Sequence, residues 1–298
     1  MISKGAWYVG LAYTLWGFFP LYWKVLGAIP ALQLICHRIV WSVAILAIMV
    51  ARSREWHVLG DAVGSPRVIA IYAVAAVTIA LNWLMFVWAV SIDQVVQISL
   101  GYFVNPLLSV VLGTIVFRER LRRLQWISVA VAATGVLYLT VAAGAFPWIG
   151  LFLASSFAIY GLMKKMAPLG PVPGLALETG ILLFPAAAFL SYEEMTGNGA
   201  FMRSGALRDT LMVASGPVTT LPLLLFAAGV PRIPLSLVGM LQYVNPTMQL
   251  FIGVLVFGEP FSRAHVVGFG LVWGALALFA IEGVASRRWP QLGVTDVS

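Results

Sequence analysis

Tyr102-Phe103-Val104-Asn105-Pro106 lies inside a long apolar stretch, and Gln242-Tyr243-Val244-Asn245-Pro246 echoes it 140 positions later. The register holds outward from there. Gly10 matches Gly150, Lys24 matches Lys164, Phe86 matches Phe226, Gly113 matches Gly253, Phe117 matches Phe257, Glu119 matches Glu259 and Arg123 matches Arg263. Apolar coincidences are common in so apolar a chain, but recurring Asn, Pro, Glu and Lys are not. The sequence therefore reads as one unit used twice, 1–143 and 144–286, followed by a tail at 287–298.

What kind of unit follows from composition. Of 298 residues, 61% are apolar and 10% charged, against about 25% charged in ordinary globular domains, and the mean hydropathy is +0.96. A water-soluble fold cannot cover that surface. Windows of about 20 residues, the helical length that crosses a bilayer, predict ten spans at 5–23, 31–51, 67–90, 95–117, 124–142, 147–163, 174–191, 210–228, 233–257 and 264–284. The runs are continuous rather than alternating, which favours helices over barrel strands. The first span follows Lys4 and lacks a small-residue cleavage pattern, so it reads as retained. The fold class expected is all-α and polytopic, with ten transmembrane helices.

Charge sets the orientation. With cytoplasmic termini, the cytoplasmic side collects thirteen Lys and Arg, including Lys4, Arg118, Arg120, Arg122, Arg123, Lys164, Lys165, Arg287 and Arg288; the other side has four, Lys24, Arg203, Arg208 and Arg263. That asymmetry predicts both termini in the cytoplasm. Five spans per unit is an odd number, so the second unit is inverted relative to the first. The loop Arg118-Glu119-Arg120-Leu121-Arg122-Arg123 has the counterpart Gly258-Glu259-Pro260-Phe261-Ser262-Arg263, with three of four positive charges gone, as expected of loops on opposite sides. Inverted repeats are the common build of secondary transporters, with the substrate site where the halves meet. Basic residues between spans account for the net charge of +7, so no nucleic-acid partner is expected. Cys36 is the only cysteine, and no metal cluster or cofactor motif is present.

Candidate site residues concentrate in spans four and nine. Gln94, Gln97, Gly101 and Asn105 recur at helical spacing on one face, as do Gln242, Asn245 and Gln249. Amides at membrane depth turn inward; the alternative role is interhelical hydrogen bonding, worth about 0.6 to 2 kcal/mol each. Tyr102 and Tyr243 adjoin the amide faces, and Tyr13, Trp16, Asn82 and Trp83 add polar or aromatic surface in spans one and three. Pro106 and Pro246 each free the carbonyl four residues back, as a hinge or as a static kink. Arg38 lies in span two and Glu178 is its counterpart in span seven. Inversion should place them at mirrored depths, roughly 10 Å apart along the normal at about 1.5 Å per residue, which disfavours an ion pair between them. Arg38 with His37 is assigned a structural or gating role; any proton coupling falls to Glu178 or His37, with uncoupled facilitated export as the alternative. Lys164 either snorkels or meets a carboxylate at the cytoplasmic mouth. Glu119 and Glu259 are expected to cap the helices that directly follow them, spans five and ten.

The order of His37-Arg38 in span two, Leu100-Gly101-Tyr102-Phe103-Val104-Asn105-Pro106 in span four, Glu119-Arg120 after it and Glu178-Thr179 in span seven resembles the EamA family of the drug/metabolite transporter superfamily, closest to its RarD-like members. The resemblance covers nearly the whole chain. It implies ten helices in the cytoplasmic, or inner, membrane and export of small metabolites, including amino acids, or drug efflux. The chain departs from the four-helix multidrug members, because residues 5–23 contain no acid. Amides and aromatics with almost no acid suit neutral solutes, including aromatic amino acids. The expected partners are a small-molecule substrate and the lipid bilayer, and a monomer suffices for function. Catalysis is not expected: His37, His57 and His265 are the only histidines, and no HExxH or CxxC spacing occurs.

Overall fold

The computed structural model describes residues 3–92, 95–142, 144, 146, 148–258 and 263–288, with side chains except at 90, 91, 95–100 and 284–288. Gln94 and Glu259 lie outside the described residues, and of Gln97 only the backbone is described. Among the described residues the chain is helical, with no strand.

Each of the ten apolar windows falls on helix, but two are broken. The first comprises α1 (Lys4–Gly17) and α2 (Phe19–Val25), parted at Phe18. Pro20 stands in the first turn of α2 and has no amide hydrogen for the Trp16 carbonyl. Then come α3 (Ala31–Ser53), α4 (Trp56–Val63), α5 (Pro66–Ser91), α6 (Val95–Val116), α7 (Arg123–Ala142), α8 (Trp148–Met166), α9 (Pro171–Met195) and α10 (Ala206–Gly229). After a 3-10 turn at Val230–Arg232, the ninth window divides into α11 (Leu235–Gln242) and α12 (Val244–Leu255), and α13 (Arg263–Arg288) closes the order. The short α4 sits in a connection that the windows left unstructured.

Seven helices are long and apolar enough to cross a membrane by length and composition: α3, α5, α7, α8, α9, α10 and α13. Their outward faces are greasy. Ile115, Phe184 and Leu255 are among many large apolar side chains left exposed, a surface that water would penalise and hydrocarbon matches.

The packing pairs helices that lie 140 residues apart in the sequence. Helices α3 and α9, α7 and α13, and α6 and α11, all counterparts at the 140-residue offset, pack on one another. Likewise α6 and α5 pack on α8, while their counterparts α11, α12 and α10 pack on α1. Small residues permit the closest crossings. A Cβ on Gly101 would stand 2.9 Å from the Gly150 carbonyl, and one on Gly239 would stand 2.5 Å from the Pro106 carbonyl, so α6 is clasped between α8 and α11.

Glu119 caps a helix, but not the one expected. Its Oε1 and Oε2 accept from the backbone amides of Leu235 and Ser236 at 2.5 and 2.9 Å. The loop after α6 folds back over the start of α11, whose first amides follow Pro234 and lack a side-chain cap of their own. The carboxylate satisfies those free amides and the positive helix end.

Candidate functional site

A cavity of about 520 Å³ opens between the halves. From α1 and α2 it receives Tyr13, Trp16, Phe19, Pro20 and Trp23, and from α5 Ile79, Asn82, Trp83 and Phe86. Helix α6 contributes Gly101, Tyr102 and Asn105; α11 and α12 contribute Gln242, Asn245 and Gln249. Leu153 and Phe157 of α8, Thr219 and Leu223 of α10 and His265 and Phe269 of α13 complete much of the wall. Arg38 reaches it from α3 and is the one Lys or Arg among the described lining residues, which include no Asp or Glu.

Nine of the eleven side chains proposed for substrate from the sequence meet here: Tyr13, Trp16, Asn82, Trp83, Gly101, Tyr102, Asn105, Gln242 and Asn245. Tyr243 does not. It is buried with Phe103, Phe269 and Val272 in the packing between α6, α7, α11 and α13, and its hydroxyl donates to the Phe103 carbonyl at 3.3 Å. Gln242 and Asn245, three apart, share the cavity face, and position 243 is turned about 100° away from Gln242. The eleventh, Gln97, lies outside the described side chains.

The polar lining groups differ in how they are satisfied. Asn82 Nδ2 donates to the Leu153 carbonyl and to Ser156 Oγ, both at 2.9 Å, tying α5 to α8. Gln249 Nε2 donates to Asn245 Oδ1 at 2.9 Å, and Tyr13 Oη reaches Gln242 Oε1 at 3.5 Å. Among the described residues, Asn105 Oδ1 has no hydrogen-bond partner, and neither have Arg38 Nε and Nη2 or Thr219 Oγ1. The Arg38 guanidinium carbon lies 3.6 Å from the centre of the Trp83 ring and 5.8 Å from that of Trp23. Such a desolvated cation–π contact is worth about 2 kcal/mol.

The residues assigned to gating fall in three places. Glu178 pairs with Lys164, both side chains 2% exposed, with the Tyr72 and Tyr160 rings near the ammonium. This pair, not one between Arg38 and Glu178, is the buried ion pair of the protein's described residues. The short turn between α8 and α9 brings the end of one helix beside the second turn of the next. His37 faces away from the central cavity. Its ring lies 5.2 Å from that of Phe201, in a second pocket with Gln33, Glu193 and Arg203. Gln33 holds the loop over that pocket by donating to Glu193 Oε2 at 2.8 Å and the Asn198 carbonyl at 2.9 Å, and by accepting from the Ala200 amide at 2.9 Å.

Pro106 and Pro246 behave differently despite the shared dipeptide. Pro106 stands inside an unbroken α6. Pro246 stands in the first turn of α12, just past the break at Tyr243, whose own amide makes a tighter bond to the Met240 carbonyl at 3.4 Å.

Known proteins share this outline. The EamA-like transporter family matches residues 3–141. Protein RarD of Streptomyces exfoliatus is 39% identical over 277 residues, covering 93% of this chain and 88% of its own. An uncharacterized transporter of Vibrio cholerae serotype O1 is 39% identical over 281 residues, 93% of each chain. A solved crystal structure 20% identical in sequence superposes with a TM-score of 0.71 over 95% of this chain and 99% of its own, which establishes likeness of fold.

Proposed function

This chain belongs to the EamA-like transporter family of the drug/metabolite transporter superfamily, with RarD proteins among its relatives, and from that premise we propose that it exports small organic metabolites, foremost neutral and aromatic amino acids, across the cytoplasmic membrane by alternating access. The observation that carries this reading is the cavity between the halves, walled by aromatic rings and amides and free of carboxylates among its described lining residues. Rings of Trp16, Trp23, Trp83 and Phe157 suit an apolar or aromatic side chain, and the amides suit a polar head group. Polycations would find no counter-charge there. Two inverted five-helix units, 1–143 and 144–286, ten spans with cytoplasmic ends and a monomer as the working unit complete the proposal; the paired packing of counterpart helices supports it.

The test is counterflow of labelled amino acids into liposomes containing the purified protein. Saturable exchange that disappears in Tyr102→Ala is the expected result. Conversion of the solute into a new compound, or flux no greater than in protein-free liposomes, would sink it. Exchange of neutral drugs with no amino-acid flux would replace it by the drug-efflux reading. Orientation is tested separately: Cys36 is buried, so single cysteines at Arg120 and Arg203 can be labelled over a low background, from the cytoplasmic and the outer side respectively.

A further inference from the structure

Three buried side chains of the cavity wall, Arg38, Asn105 and Thr219, have polar atoms with no partner among the described residues, and two of them, Arg38 and Asn105, are of opposite hydrogen-bonding character: a donor only and an acceptor oxygen. Arg38 is 8% exposed and its Nε and Nη2 are unpartnered; Asn105 is 3% exposed and its Oδ1 is unpartnered. The Trp83 ring supports the guanidinium from one face, but a ring face leaves the in-plane N–H groups unmet. Buried cations are ordinarily paired, and elsewhere in this chain they are: Lys164 has Glu178. Arg38 and Asn105 line the same cavity. Tyr102 lines the same cavity, precedes Asn105 by three residues on α6 and so shares its helix face.

We propose that Arg38 and Asn105 together read the head group of an α-amino acid: the Arg38 guanidinium takes the carboxylate, and Asn105 Oδ1 accepts from the ammonium. The guanidinium is a planar fork matched to a carboxylate, and the amide oxygen is a neutral acceptor suited to an ammonium in a cavity whose described lining residues include no acid. Trp83 then acts as a positioning residue, holding the guanidinium plane. The proposal rests on the transport reading and adds a requirement to it, since solutes lacking a carboxylate are discriminated against even when their side chain fits.

The experiment measures binding to the full-length protein in detergent by titration calorimetry, using L-phenylalanine, L-leucine, L-phenylalaninamide, 3-phenylpropionate and 2-phenylethylamine. The proteins are wild type, Arg38→Gln and Arg38→Lys, each with its melting temperature. Phenylalanine is expected to bind the wild type about tenfold or more tightly than its amide or phenylethylamine, with phenylpropionate between. Arg38→Gln removes that preference without lowering the melting temperature, and Arg38→Lys restores it only in part. Equal binding of phenylalanine and phenylalaninamide by the wild type would overturn the proposal. So would an Arg38→Gln protein that melts lower and weakens all solutes alike. Exchange of solutes with no carboxylate dependence would remove this inference and leave the transport reading standing, whereas failure of every solute to bind or move would remove both.

Discussion

The two halves of this molecule give different answers at equivalent positions. In the second, Glu178 is paired with Lys164, Asn245 Oδ1 accepts from Gln249 Nε2, and the helix bearing Asn-Pro is broken into α11 and α12. In the first, Arg38 has only aromatic faces, Asn105 keeps an open Oδ1, and α6 runs unbroken through Pro106. At these two pairs of positions, 140 residues apart, the later member is partnered by a neighbouring side chain and the earlier one is left facing the cavity, although Thr219 in the second half also brings an unpartnered hydroxyl to the cavity wall. Ligand reading is best sought at Arg38 and Asn105, and mobility at the two broken helices, at Phe18 in the first half and at Tyr243 in the second, where a break absorbs a change of angle at least cost.

The comparison breaks most visibly under substitutions at the buried charges. Glu178→Gln should leave Lys164 uncompensated and destabilise the protein by about 3–5 kcal/mol, while the double change Lys164→Met with Glu178→Leu recovers most of that loss. Arg38→Met, at the counterpart position, should leave the melting temperature unchanged or raise it. Thermal melts in detergent check all three, and an equal loss at positions 38 and 178 would erase the contrast. Next in size is Gly101→Leu, which copies the second half's Leu241 into the first. Its side chain has to enter the α6–α8 crossing at the Gly150 carbonyl, at about 1–3 kcal/mol, read by the same melts.

The prolines should separate by a smaller margin. Pro106→Ala returns an amide hydrogen to the Tyr102 carbonyl in an already straight helix, a gain of up to about 1 kcal/mol, with flux little changed. Pro246→Ala lets α11 and α12 join, and is expected to slow counterflow about tenfold at unchanged affinity. Similar flux losses for both would show that the break is no hinge. Smallest is Asn245→Ala, which forfeits an i, i+4 bond to Gln249 worth about 0.2–0.5 kcal/mol and should move the melting temperature barely at all.

Much of this was legible in residues. Apolar windows located the helices because each backbone in hydrocarbon must satisfy its own hydrogen bonds, and Asn82, Asn105, Gln242 and Asn245 declared themselves by being polar within those windows. Tyr243 was misplaced because its neighbours were weighed more than its register. It is the counterpart of Phe103, and the two share one packed cluster. The different fates of Asn105-Pro106 and Asn245-Pro246 could not be read from identical dipeptides. They depend on the clasp of α6 between α8 and α11 at Gly101 and Gly239, a tertiary constraint on a helix that would otherwise bend. Phe19, Pro20 and Thr219 of the cavity wall carry no distinguishing signal among so many similar residues, whereas Arg38 stands out as a buried charge for which inversion disfavours Glu178 as partner.

The most direct measurement is counterflow of labelled phenylalanine in liposomes, run side by side for wild type, Asn105→Ala and Asn245→Ala. Saturable exchange by the wild type, a KM raised about tenfold in Asn105→Ala and a KM within about threefold of wild type in Asn245→Ala are the predicted results. Exchange no faster than in protein-free liposomes, or equal losses in the two variants, would contradict the account.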